Sequence, residues 1–278
     1  MTSDEPVSAT QRVRVRKTDS DSVATDYVVG EEPLEIRIDT ADGKQQLAVT
    51  MRTPGADLEL AAGFLWSEGL LRNRDDLIGI TSCKDADLTP RERENIVVAH
   101  VREGAPAMTR VLERRFTISS ACGVCGSTHI DDLRHRGCVD VSPVKLTDEQ
   151  LASLPDAMRP RQKVFDKTGG LHAAGLFDPH GKLVVVREDV GRHNAVDKIV
   201  GYALMNDLIP MHGHALAISG RGGYEIIQKA VSAGIGAVVA VSAPTSLAVE
   251  TAREFNLTLL GFARSGVATK YSPAPVTE

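Results

Sequence analysis

The sequence predicts an α/β protein in two parts: an N-terminal α+β domain and a C-terminal three-layer α/β domain with helices on both faces of a sheet. Three observations carry this. From residue 183 onward, short apolar runs alternate with helical segments of about 10–15 residues, the pattern of strands joined by crossover helices. Those runs are apolar almost without interruption, as expected where both faces of a parallel sheet are covered. Before residue 119 the pattern changes to strands of alternating polarity and one amphipathic helix.

Residues 1–26 are polar and lack a sustained period, so they read as a mobile N-terminal tail. The domain at 27–118 opens with alternating segments at Leu34–Ile38 and Gln46–Thr50, and Asp42-Gly43 between them signals a β-hairpin. Leu58, Ala61, Ala62 and Leu65 then form the i, i+3, i+4, i+7 stripe of a helix over Asp57–Leu71, with Asp57 in position to cap it. A charged loop, Lys84–Glu94, leads to a strand at Asn95–Val101. Residues 119–145 contain the cysteine motif and read as a mobile loop or linker.

The second domain, 146–278, starts with a capping-box helix from Thr147 to Gln150. Strands are predicted at Leu183–Arg187, Ala215–Ser219, Gly236–Ser242 and Leu257–Phe262. Helices are predicted at His193–Leu208, Tyr224–Ala233 and Thr245–Phe255, with Gly234 as a left-handed C-terminal residue.

Composition excludes some functions. Thirty-two Lys and Arg against 37 Asp and Glu give a formal net charge of −5, which argues against a protein that coats nucleic acid. Hydrophobic residues are 42% of the chain, enough for a core, and only 4% are aromatic, so that core must be mostly aliphatic. No apolar run approaches the ~20 residues of a membrane span, and no signal peptide is visible. A cytoplasmic protein is the expectation.

In open α/β sheets, ligands sit outside the carboxyl ends of the strands. The loops at those ends are 188–194, 220–223, 243–246 and 263–266. Three of them carry an arginine, Arg192, Arg221 and Arg264, and glycines in three let backbone amides approach a ligand. The guest expected at such an edge is an anion bearing phosphates. Taken singly, each loop is an ordinary turn with a solvated arginine; their convergence makes the site.

Four cysteines stand at 83, 122, 125 and 138. Cys122 and Cys125 lie on a small-residue loop flanked by Gly123 and Gly126, an environment unlike the apolar surroundings of an inert thiol. A thioredoxin-like redox pair lacks its strand–turn–helix context. Zinc held by Cys122, Cys125, Cys138 and either His129 or His135 has tolerable spacing. A sulfur carrier, with a nucleophilic thiol on a loop able to meet donor and acceptor, fits equally well. Cys83 and Cys138 read as unreactive thiols and His172 as a packed histidine, while Asp189 and His193 are candidates to cap the following helix. Thr168–Ala174 suggests a zinc deaminase, but Ala174 occupies the place of the essential glutamate and no cysteine follows Cys138, so that activity is excluded.

An ordered set of motifs resembles the FdhD/NarQ family of accessory sulfurtransferases required for formate dehydrogenase activity. They are Arg52-Thr-Pro-Gly55, Glu59–Leu65 with Glu68-Gly69, Cys122-Gly-Val-Cys-Gly126, Thr168–Ala174, Glu188–Ala195 with Asp197-Lys198, Ser219-Gly-Arg221, and Leu257–Phe262 running to Tyr271. The resemblance covers most of the chain from about residue 27 onward. It implies a C-terminal domain similar to the cytidine deaminase fold. It further implies a sulfurtransferase that takes sulfur from a cysteine desulfurase as a persulfide and passes it to the molybdenum cofactor, in its bis(molybdopterin guanine dinucleotide) form, before insertion into formate dehydrogenase. By position, Cys122 matches the persulfide-bearing cysteine and Cys125 its partner, no resident metal is implied, and the chain is expected to form a homodimer. The family's cofactor-binding stretch maps to Phe262, Ala263, Arg264, Ser265, Gly266 and Val267. Some relatives carry a cysteine and a lysine where Ala263 and Arg264 stand, so a thiol in that stretch is dispensable. Two alternatives are a cofactor chaperone that moves no sulfur and a zinc-stabilised interaction protein.

Overall fold

A computed structural model describes residues 8–20, 22–112 and 128–273. Cys122 and Cys125 lie outside the described residues. The chain begins with β1 (Thr10–Arg16) and β2 (Val23–Val29), an antiparallel ribbon. Over the described part of residues 1–26, this ribbon corrects the reading of a mobile tail. Arg12, Arg14 and Arg16 face solvent while Val13 and Val15 turn inward, a period of two too short to stand out in polar sequence. The ribbon closes tightly where β1 begins and β2 ends. Gly30 donates to the Ala9 carbonyl at 2.9 Å, and a Cβ on Gly30 would lie 1.9 Å from the Ser8 oxygen.

A second unit contains β3 (Glu32–Thr40), β4 (Gly43–Arg52), α1 (Asp57–Ser67), β5 (Leu77–Ser82), α2 (Pro90–Glu94), β6 (Ile96–Val101) and α3 (Pro106–Leu112). Its four strands lie in the order β4-β3-β6-β5, with β3 and β6 parallel and the other pairs antiparallel. Leu34, Ile36 and Ile38 alternate onto the face covered by Leu60, Ala61 and Leu65 of α1. The predicted hairpin is therefore present. The helix is shorter than predicted and Asp57 does not cap it; its carboxylate takes the Arg52 guanidinium at 3.0 Å instead. Inside the charged loop, Thr89 and Glu92 form a capping box that starts α2.

Residues 119–145 are not a linker throughout. α4 (Thr128–His135) buries Leu133, and Arg134 stacks over the Phe255 ring at 4.2 Å. Val141 then donates its amide to the Phe255 carbonyl at 3.0 Å. After α5 (Asp148–Ala152), α6 (Leu154–Met158) and α7 (Lys163–Thr168), the chain enters β7 (His172–Phe177) and β8 (Leu183–Asp189). α8 (Arg192–Met205), β9 (Ala215–Ile218), α9 (Tyr224–Ser232), β10 (Ala237–Ala240), α10 (Ser246–Glu254), β11 (Thr258–Arg264) and β12 (Val267–Ser272) complete it. The capping box at Thr147 and Gln150 is present, and Gly234 has φ +77°.

The large sheet is ordered β12-β11-β10-β9-β7-β8 and is mixed rather than parallel. Only the β9–β10 and β10–β11 pairings are parallel; β7 sits antiparallel between β8 and β9, and β12 is antiparallel to β11. β7 escapes prediction because His172–Phe177 is brief and holds a mid-strand glycine, and its tight connection to β8 relies on Asp178 taking the His180 and Lys182 amides. One face packs on α8, α9 and α10 through Val196, Ile199, Ile227, Ala248 and their neighbours. The other packs on α5 and α6 through Leu151, Leu154 and Met158. Helices thus cover both faces, as the apolar strands require.

α1 and α8 join the two units. They cross at glycines: a Cβ on Gly63 would lie 1.8 Å from the Asp197 oxygen, and one on Gly201 1.8 Å from the Glu59 oxygen. Around the crossing, Glu59 accepts from Arg187 Nη2 at 2.6 Å, and Asp197 accepts from Ser67 Oγ and Lys229 Nζ at 2.8 Å. Burial by itself lowers the Lys229 ammonium, but Asp197 and Glu68 outweigh it and hold Lys229 above its usual range. Among the described residues, no helix is long and apolar enough to cross a membrane.

Candidate functional site

Strand direction decides where the loops meet. β8 and β9 are each antiparallel to β7, and β10 and β11 run with β9, so β8 to β11 all point the same way. Their carboxyl ends share one edge, and β7 begins there at His172. The loops 188–194, 220–223, 243–246 and 263–266 therefore lie along a common edge despite the inverted strand. Two are stitched together: Gly222 donates to the Ala243 carbonyl at 3.2 Å, and Thr245 donates to the Gly222 carbonyl at 3.1 Å.

The loop after β8 is fixed from beneath by a buried ion pair. Lys198 Nζ lies 2.7 Å from Asp189 Oδ2, with side chains 2% and 0% exposed. Lys198 also donates to the carbonyls of Thr53 and Glu188 at 2.9 and 3.2 Å. Asp189 in turn takes the amides of Thr53 and Gly191 and the side-chain amide of Asn194, at 3.2, 2.8 and 3.0 Å. Asn194 reaches across to the Met51 carbonyl at 2.7 Å. Charged groups this buried persist only when paired and fully hydrogen-bonded. Asp189 therefore does not cap α8; it locks the loop to the turn after β4, whose Thr53 closes the network by accepting from the Val190 amide at 3.1 Å.

The locked loop presents Arg192 and His193. His193 Nε2 lies 2.7 Å from Glu225 Oε2, and this contact holds the Glu225 carboxyl below its usual range. Arg192 Nε is buried with no hydrogen-bond partner among the described residues. It lies beside His172, and a Cβ on Gly220 would be 3.4 Å from His172 Nδ1 and 3.8 Å from Arg192 Cβ. Burial, then the charges of Arg192 and His193, push the His172 imidazole below its ordinary range. His172 is thus half-buried at the edge and favours its uncharged form beside the Arg192 guanidinium.

Gly191 and Gly223, the residues before α8 and α9, make no side-chain cap bond, and both helices bring their positive ends to this edge. Thr245 does cap α10, taking the Ala248 amide. Arg221 and Arg264 are exposed. Backbone amides, helix ends and three arginines on one edge suit a polyanion.

The stretch 262–267 divides. Phe262 is 54% exposed with φ +55°, at a register shift between Gly261 and Arg264. A side-chain-bearing residue held in that region stores strain of order 1 kcal/mol, as at many ligand contacts. Ala263 is 1% exposed and packs with Leu154 and Met158, so its side chain belongs to the core. Ser265 and Gly266 have φ +51° and +75° and turn β11 into β12, with the Ser265 amide bound to Asp156 Oδ2 at 2.8 Å. Phe262, Arg264 and Val267 (72% exposed) are the members whose side chains are open to a ligand.

α4 opens three residues after Cys125, and its Asp132, with Arg136 just beyond, acts electrostatically on Tyr224, the first residue of α9. Burial pushes the Tyr224 hydroxyl up to about 12. α4 thus lies beside the start of α9. Burial also raises the Cys138 thiol, against the pull of Arg136 and Arg134. Cys83 is 6% exposed. Among the described residues no group of three or more His, Cys, Asp or Glu is placed to hold a metal ion; the zinc alternative draws on Cys122 and Cys125 outside them.

Lys198, Thr53, Asn194 and Glu225 were not singled out for these roles, because their partners lie on other segments. Thr53, Asn194 and Lys198 do stand inside quoted motifs, the one signal that marks them, whereas Glu225 stands in none.

Comparison with known proteins places this architecture. The model of the FdhD/NarQ family matches residues 29–275. A sulfur carrier protein FdhD from Streptomyces coelicolor is 48% identical over 270 residues, 95% of this chain and 94% of that protein. One from Mycobacterium tuberculosis is 40% identical over 96% of this chain and 98% of that protein. A solved structure from Desulfotalea psychrophila, described as a candidate formate dehydrogenase accessory protein, matches with a TM-score of 0.72 at 21% identity, over 98% of this chain and 99% of that one. With the family's pattern running from the end of β2 to the last strand, and relatives of this identity along nearly its whole length, the chain belongs to the FdhD/NarQ family.

Proposed function

We propose that this chain is a sulfur carrier for formate dehydrogenase: it takes sulfur from a cysteine desulfurase onto Cys122 and delivers it to the molybdenum cofactor bound along the strand edge. The names of the relatives support the carrier role. The observation that supports the acceptor is the alignment of Arg192, Arg221, Arg264 and two uncapped helix ends on one sheet edge, a cradle suited to the pyrophosphates of a bis(guanine dinucleotide).

The chemistry balances with two thiols. The Cys122 thiolate attacks the outer sulfur of the desulfurase persulfide; that S–S bond breaks, and its electron pair leaves on the desulfurase cysteine. Cys122 then holds a persulfide. Attack by the Cys125 thiolate on the Cys122 sulfur forms a Cys122–Cys125 disulfide and releases hydrosulfide to the metal. The two thiols supply the two electrons, and a cellular dithiol later reduces the disulfide. In this reading Phe262 and Arg264 flank the guanine end, and the chain works in the cytoplasm as a homodimer.

Cys122→Ala is expected to abolish sulfur loading and leave nucleotide binding nearly unchanged. Binding of guanosine diphosphate, read by calorimetry, is expected to fall at least tenfold when Arg192, Arg221 and Arg264 are all replaced by Gln. Unchanged affinity would reject the cradle. Formate dehydrogenase activation that survives Cys122→Ala would favour a chaperone that moves no sulfur.

A further inference from the structure

A separate cavity of about 550 Å³ opens on the N-terminal unit, between the turn after β4, the end of β5 and α2. None of its lining residues belongs to the four edge loops. Three are cationic, Arg52, Lys84 and Arg93, and two are anionic, Asp57 and Glu94. Arg52 and Asp57 pair with each other at 3.0 Å, which leaves Lys84 and Arg93 against Glu94, an excess of one positive charge.

Arg52 is completely buried. Its Nε and Nη2 bind Asp57, and Nη2 also donates to the Glu94 carbonyl at 3.3 Å. Nη1 is buried and has no hydrogen-bond partner among the described residues. An unsatisfied buried donor is rare, and more so on a guanidinium, whose planar fork matches carboxylate and phosphate oxygens. Lys84 is exposed and Arg93 half-buried, so both charges stand near the mouth of the same cavity. Pro54 and Pro90 supply apolar wall, and nothing lies within 4 Å of where a Cβ on Gly55 would stand.

We propose that this cavity is a binding site for a small organic anion, whose carboxylate or phosphoryl oxygens meet Arg52 and whose body rests against Pro54 and Pro90 under Lys84 and Arg93. Volume and lining fit a compact polar molecule, and the two proline rings leave little surface for a large apolar one.

The test is an NMR titration of the full-length ¹⁵N-labelled protein with sodium phosphate and, separately, sodium acetate, with chloride adjusted to constant ionic strength. The amides of Gly55, Cys83 and Lys84 are expected to shift saturably with at least one anion, with a dissociation constant of about 1 mM. Saturation by phosphate alone identifies a phosphoryl ligand, and saturation by acetate alone a carboxylate. Lys84→Gln and Arg93→Gln, both outside the buried network, are expected to weaken binding at least threefold each while the fold stays intact. Arg192→Gln at the strand edge is expected to change nothing at these amides. Shifts that never saturate, or that survive the Lys84→Gln/Arg93→Gln double variant unchanged, would overturn the assignment. So would shifts abolished by Arg192→Gln.

Discussion

Replacing Lys198 by Met removes the cation from beneath the loop that presents Arg192. The change leaves Asp189 with its carboxylate 0% exposed and only the Thr53, Gly191 and Asn194 donors to satisfy it. It also leaves the Thr53 and Glu188 carbonyls without the donor they now share. Breaking a buried ion pair from one side costs about 3–5 kcal/mol. At about 2–4 °C per kcal/mol for a chain of this size, the melting temperature is expected to fall by roughly 6–20 °C. Urea unfolding, followed by circular dichroism, gives the same quantity at constant temperature. Asp189→Ala should be comparably damaging, and the Asp189→Ala/Lys198→Met double variant should recover at least about 2 kcal/mol of the summed loss, because it removes the stranded charge. A loss below about 1 kcal/mol for Lys198→Met, or strict additivity of the two changes, would refute the claim that this pair organises the edge.

Three further outcomes follow from the same structure. Gly201→Ala puts a Cβ 1.8 Å from the Glu59 carbonyl oxygen, so α1 and α8 must separate, and a loss of about 3 kcal/mol or more is expected in thermal unfolding. Phe262→Gly relieves a positive φ and is expected to stabilise the fold by about 1 kcal/mol while weakening guanosine diphosphate binding in calorimetry, so gain on one axis and loss on the other. His172 is depressed in the free protein by burial and by Arg192 and His193, and a bound phosphate reverses the last two effects, so binding takes up a proton. Affinity should therefore rise as pH falls below the ordinary histidine value of about 6.5, and His172→Gln should flatten that profile. Without ligand the same depression makes stability from this group complete above that value and lost as pH falls below it.

The sequence revealed local pattern better than long-range pairing. The helices α8, α9 and α10 and the strands β9, β10 and β11 were legible because period and caps are written within each segment: Gly234 ends a helix and Thr147 begins one. β7 was not legible, since an antiparallel strand inserted between β8 and β9 depends on pairing with both, and nothing in His172–Phe177 states that. The prediction of a shared loop edge survives the error because β7 inverts between two strands that still run together. β1 and β2 were hidden for a different reason: a two-stranded ribbon owes its order to α7 and Gly30, with Lys167 lying 4.0 Å over the Tyr27 ring, and no residue within 1–26 announces those contacts. The arginines of the edge could be read from their loops. The buried Asp189–Lys198 lock beneath them could not, because its third member, Thr53, lies more than a hundred residues away in sequence.

The carrier role is tested most directly by the intact mass of the purified full-length protein after incubation with a cysteine desulfurase and cysteine, alongside Cys122→Ala and Cys125→Ala. A gain of about one sulfur mass that a thiol reductant reverses, present in the wild type and Cys125→Ala but absent in Cys122→Ala, is the predicted result. No added sulfur in any form of the protein, or sulfur retained in Cys122→Ala, would contradict it.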